Sequence, residues 1–197
     1  MKNYRAFLIV SLSISVVLSS CNNNKKSSNT ADKSLDKNAM LVENAKVEGN
    51  NDDQGFVQEA ANGGLMEVEL GRYAEQNASN PRVKNFGAMM VRDHSKANDE
   101  LKSIAAGKNI TLPATMDDDH MNKVNELKKK SGADFDKDYM KEMVDDHDKD
   151  VDKFRKQAEN GTDPEIKTFA SKTLPVLIAH QDSAKSIRDA LDNKNSK

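Results

Sequence analysis

Four stretches of this chain carry apolar side chains at helical spacing, and each stripe is interrupted near its middle by one ionisable residue. Apolar positions three and four apart must turn one face of a helix toward a core. The expected helices run over about 54–78, 81–106, 133–159 and 164–191. The first stripe is Phe56, Ala60, Gly63, Glu67, Leu70 and Ala74. The second is Val83, Gly87, Met90, His94, Ala97, Leu101 and Ile104. The third is Tyr139 or Met140, then Met143, His147, Val151, Phe154 and Ala158. The fourth is Ile166, Ala170, Thr173, Leu177, His180, Ala184, Ile187 and Leu191.

The ends of these helices carry their own signals. Asp52 and Asp53 are candidate caps for the first, and Ser79-Asn80-Pro81 ends it and starts the second, with Asn80 as cap and proline at the first helical position. Gly107 and Asn109 close the second, Asn160-Gly161 the third, and Thr162-Asp163-Pro164 opens the fourth. Pro175 should bend the fourth helix one turn before His180. Short connections make the first pair and the last pair antiparallel. Between the pairs, residues 107–132 hold a short charged helix over about 116–130. The expected fold is therefore all-α, a four-helix bundle of the ferritin-like plan with a long crossover carrying a short extra helix. A simple up-and-down bundle is the alternative, because length alone does not fix the path of the connection.

Glu67, His94, His147 and His180 each lie within about two residues of their helix centres, so at ~1.5 Å rise per residue they share one height to within ~3 Å. Burying such groups is costly unless something pairs with them. Imidazoles and a carboxylate converging from four helices form a candidate site for one transition metal, Fe, Zn or Mn, with Cu less favoured. The competing reading is a structural polar network without metal. A di-iron carboxylate centre is excluded, because it needs an acid three residues before its histidines, and here Val91, Val144 and Leu177 stand there. Met90 and Met143 lie one turn before His94 and His147, which could serve copper(I) or simply fill the core. Asp93 and Asp146 precede stripe histidines and are expected behind the site or in solvent, since neighbours along a helix do not face each other. His120, after Asp117-Asp118-Asp119, is expected to be exposed, and an Asp-rich cation site there is a weak signal.

The N-terminus follows a different logic. Lys2 and Arg5 precede an apolar run of 13 residues, Ala6 to Leu18, too short to span a bilayer, and Leu18-Ser19-Ser20-Cys21 follows it. This resembles a lipoprotein signal, with residues 1–20 removed and Cys21, the only cysteine, carrying lipid. Asn22 rather than Asp argues for an outer-membrane lipoprotein, its leaflet open. Removing Lys2 and Arg5 would move the net charge from −2 to −4. No stretch is basic enough for nucleic acid. Residues 21–53 read as a disordered tether, 54–192 as the bundle domain, and 193–197 as a disordered tail.

No nucleophile elbow, phosphate loop or organic-cofactor motif is present, so an enzymatic reading, a metal acting as Lewis acid, ranks behind two others. These are a metal-binding or stress-protective envelope protein, and a non-catalytic structural or interaction module.

Four blocks carry a resemblance. They are Gly64-Leu65-Met66-Glu67-Val68-Glu69-Leu70-Gly71, Met90-Val91-Arg92-Asp93-His94-Ser95-Lys96-Ala97-Asn98, Gly132-Ala133-Asp134-Phe135-Asp136, and Thr173-Leu174-Pro175 followed by His180. Together they resemble the exported bacterial family known as domain of unknown function 4142, often labelled an outer-membrane protein. The resemblance implies a ferritin-like bundle in the cell envelope and no established activity. It also implies recurrent polar positions at Glu67, Asp93, His94, His147 and His180.

Overall fold

Helical periodicity carries through to the computed structural model, which describes residues 51–194. The expected signal segment 1–20, the lipidation site Cys21 and tether residues 22–50 lie outside the described residues. There are five helices: α1 Asn51–Asn77, α2 Pro81–Gly107, α3 Asp118–Lys128, α4 Gly132–Asn160 and α5 Pro164–Lys194. Among the described residues no helix is long and apolar enough to cross a membrane.

Two boundaries differ from expectation. α1 starts at Asn51, so residues 51–53 belong to the domain and not to a tether. The reason is tertiary: Asp53 is buried and bonded to the α4–α5 corner, partners that local composition does not reveal. α5 reaches Lys194, so residues 193 and 194 are helical and not tail. The helix also runs on through Pro175, which removes one backbone donor without ending it.

The caps behave as their chemistry dictates. The Asn80 side chain accepts from Arg82 N at 2.8 Å, ahead of Pro81. Asp163 accepts from Glu165 N at 3.0 Å and Ile166 N at 3.1 Å. Asn109 adopts a left-handed φ of 55° just past α2, a conformation asparagine tolerates.

Contacts at the helix ends fix the topology. Asp136, at the start of α4, accepts from Ser79 N at 2.9 Å and Asn80 N at 2.7 Å, where α1 ends. Lys108, past the end of α2, reaches Asp163 at the start of α5 at 2.7 Å. Arg82, near the start of α2, donates to Ser186 near the end of α5 at 3.1 Å. Every adjacent pair around the ring α1–α2–α5–α4 is therefore antiparallel, while α2 and α4 run in the same direction. The connection between them must cross the length of the bundle, which is the ferritin-like path. On the way, α3 lies over α1 and α4: Tyr73 Oη donates to Lys128 O at 3.1 Å, and Lys123 pairs with Glu142 at 2.6 Å.

α1 and α2 approach closely at a pair of glycines. A Cβ on Gly71 would sit 2.8 Å from the Gly87 carbonyl oxygen, and one on Gly87 2.6 Å from that of Gly71. Either alanine would push the helices apart, displacing Glu67, one turn from Gly71, and His94, two turns from Gly87.

The apolar core comes in two blocks. One holds Met66, Leu70, Phe86, Met90, Tyr139, Met143 and Ala184; the other holds Phe56, Leu101, Val151, Phe154, Phe169 and Leu177. Each buried Leu or Phe stabilises the fold by roughly 1.5–3 kcal/mol. On every long helix the residue between the blocks is polar: Glu67, His94, His147 and His180, all buried.

Candidate metal centre

Each of these polar residues is carried into the core by its own stripe, so the layer follows directly from helical spacing. The three imidazoles form a nearly equilateral group, with ring centroids 5.7 Å apart for His94 and His147, 5.4 Å for His94 and His180, and 5.4 Å for His147 and His180. One nitrogen from each lies within 4.8 Å of the others.

The remaining nitrogens are held from behind. His147 Nδ1 is 2.9 Å from the Met143 carbonyl oxygen, which can only accept, so Nδ1 carries the proton. His180 Nε2 is 3.0 Å from Asp93 Oδ2. His94 Nδ1 is 2.7 Å from Glu67 Oε2. With protons on these outward nitrogens, His94 Nε2, His147 Nε2 and His180 Nδ1 turn bare lone pairs inward. His94 Nε2 has no hydrogen-bond partner, and His147 Nε2 faces His180 Nδ1 at 3.4 Å. Two lone pairs facing one another in a buried site need a proton or a cation between them.

Electrostatics favour neutral imidazoles. Burial holds His94 and His147 down at about 4 and also lowers His180, whose bond to Asp93 opposes the shift. Asp93 is kept ionised, at about 2, by its bonds from Arg92 and then from His180. Arg92 grips it at 2.7 and 2.8 Å. Glu67 goes the other way: burial pushes it up to about 8, against the pull of His147.

The four-ligand set expected from spacing is therefore rearranged. The close set of nitrogens is His94, His147 and His180, while Glu67 stands behind His94 as its acceptor. Spacing sets the height of a residue on its helix but not how a flexible carboxylate turns. Asp93, expected behind the site, is there, serving His180 on the neighbouring helix instead of the adjacent His94. Asp146 is buried but bonds no histidine; it groups with Glu67 and Asp150. Met90 and Met143 pack in the apolar block, and the link from Met143 to the site is its backbone carbonyl. His120 is half-buried, not exposed, and pairs with the α3 cap Asp117 at 2.7 Å.

Two polar groups beside the site carry little signal in the sequence. Asp150 follows Asp146 by four residues, hence on the same helix face, and that spacing was a usable signal. Tyr139 was seen as core, but its hydroxyl is buried without a hydrogen-bond partner and its titration is raised first by burial and then by Glu67.

Comparison with known proteins sets this geometry in a family. The family model described as Domain of unknown function (DUF4142) matches residues 38–187. A solved structure, the crystal structure of a DUF305 fragment from Deinococcus radiodurans, superposes with a TM-score of 0.61 at 10% identity. It covers 74% of this chain and 98% of that one, and at such low identity the likeness concerns the fold alone. No curated protein matches the chain.

Proposed function

The chain belongs to the DUF4142 family, and we propose that its bundle binds a single transition-metal ion through His94, His147 and His180. One observation carries this reading: three buried imidazoles turn nitrogens toward one point while Glu67, the Met143 carbonyl and Asp93 anchor the opposite nitrogens. Ligand histidines are oriented in this way by acceptors behind them, which fix the tautomer and raise basicity. Three imidazoles with a fourth position open suit Zn²⁺, Fe²⁺ or Mn²⁺. A dication there would also favour ionised Glu67, offsetting the burial that raises it.

A metal-free network is a weaker account. It needs a shared proton between His147 and His180, whereas burial disfavours a charged imidazole at both positions. Binding an ion in a buried site fits sequestration or protection more directly than turnover. The signal-like segment ending at Cys21 supports placing this activity in the cell envelope on a lipid anchor, with the ion-binding bundle held off an outer membrane.

The test is metal content. The purified chain, loaded separately with iron, zinc, manganese and copper, should retain about one equivalent of a transition metal, and chelation should lower its melting temperature. His94→Ala should lose both effects. No stoichiometric metal under any of the four loadings would contradict the reading and leave only the fold.

A further inference from the structure

Beside the histidine triangle, on the side covered by α3, lies a second group of ligand atoms, two of them without a hydrogen-bond partner. One oxygen from each of Glu67, Asp146 and Asp150 lies within 4.8 Å of the others. Three carboxylates gathered this way repel one another, so the nearby cations decide what the group is. Lys123 is 3.8 Å from Asp146 but 2.6 Å from Glu142. Lys153 is 3.8 Å from Asp150 but 2.9 Å from Glu59. Each lysine is thus bonded to an outer acid and stands beyond hydrogen-bond reach of the inner one. Asp146 Oδ2 and Glu67 Oε1 are buried and have no hydrogen-bond partner at all, on residues 7% and 1% exposed. Unpaired oxygens in such a site carry the full desolvation cost. A cavity of about 280 Å³ between α1, α3 and α4 is lined by Asp146 and Asp150 from this group, and by Lys123, Lys149 and Lys153.

We infer that Glu67, Asp146 and Asp150 form a second cation site, for a hard divalent ion of the Mn²⁺, Mg²⁺ or Ca²⁺ kind. Oxygen-only donors with high negative charge select such ions, and waters from the cavity complete their coordination. Glu67 faces both sites: Oε2 meets His94 Nδ1 at 2.7 Å, and Oε1, without a hydrogen bond, lies 3.5 Å from His147 Nδ1. The inference does not depend on a metal at the histidines. Without an ion, the three carboxylates would have to share protons, and the test separates the two states.

The experiment titrates Mn²⁺ into the full chain carrying His180→Ala, which disables the histidine site, and reads free Mn²⁺ by electron paramagnetic resonance. The expected result is one tightly held Mn²⁺ per chain, displaced by excess Mg²⁺ or Ca²⁺. Adding Asp150→Asn, or in a second variant Asp146→Asn, should weaken binding by at least about tenfold, since even outer partners of a metal are worth that much. Circular dichroism shows that each variant remains helical. If His180→Ala binds no Mn²⁺, or if both acid variants bind it unchanged, the second site is refuted. Zinc retained by Asp150→Asn in the native histidine background would then still uphold the histidine site. Mn²⁺ held by His180→Ala while the unmutated chain takes no zinc would uphold the acid site and refute the other.

Discussion

Two buried carboxylates, Asp53 and Glu67, lie on the same helix four turns apart and meet opposite fates. Asp53 is fully partnered. Its Oδ1 accepts from Gln157 Nε2 at 2.5 Å and Thr162 N at 3.3 Å, and its Oδ2 accepts from Asp163 N at 2.9 Å and from the Thr162 hydroxyl. Those bonds outweigh burial and keep its titration low. Glu67 has one strong partner, His94, and an orphan oxygen, and burial raises it to about 8. The orphaned buried polar atoms among the described residues are Glu67 Oε1, His94 Nε2, Tyr139 Oη and Asp146 Oδ2. All belong to the central layer or its immediate surroundings. Native interiors satisfy such atoms, so a cluster of exceptions beside a satisfied counterpart calls for an explanation. The bundle closes its end with Asp53 and leaves buried polar atoms of its middle unsatisfied.

The contrast can be broken from either side. The largest effect should come from Asp53→Ala, which strands several buried donors at once. It should destabilise the domain by about 3 kcal/mol, equally with and without metal. A thermal melt in both states checks this, and a loss confined to the metal-loaded state would erase the distinction between end and middle.

Glu67→Gln should do the reverse. The ion-free domain should keep or gain stability, while metal affinity falls roughly 10–100-fold, equivalent to about 1.4–2.8 kcal/mol. Glu67 is protonated at pH 7 in the ion-free protein and the imidazoles are already neutral, so metal uptake should release about one proton, a release absent from Glu67→Gln. Calorimetry in buffers of differing ionisation enthalpy reads both quantities.

A smaller effect sharpens the same point through pH. Protons and metal compete for the imidazole lone pairs, and an ordinary histidine enters that competition near 6.5. Burial lowers His94 and His147 to about 4, so protonation is delayed and bound metal should persist as pH falls through 6.5, leaving only as pH nears 4. Release centred near 6.5 would mean that the imidazoles are not buried ligands.

What the sequence discloses follows the range of the interactions involved. The stripes, the Asn80-Pro81 turn and the height of the polar layer are local consequences of helical spacing, and they are legible. Asp53 reads as tether because its partners lie 104 to 110 residues away. The path of the crossover is likewise settled by end-to-end contacts such as Lys108 with Asp163. Glu67 was legible as a member of the layer but not as an acceptor behind His94, because side-chain rotation leaves no trace in spacing. Asp150 was legible in principle, from its four-residue separation from Asp146, but its polar neighbours Lys149 and Asp152 hide it in a solvated-looking run.

The account stands most directly on where an ion sits. Crystals of the zinc-loaded chain, measured at the zinc absorption edge, should show an anomalous peak about 2.0–2.1 Å from His94 Nε2, His147 Nε2 and His180 Nδ1. Glu67 should remain bonded to His94 Nδ1. A peak placed elsewhere, or none at the three imidazoles in fully loaded crystals, would contradict the claim that these histidines form a metal site.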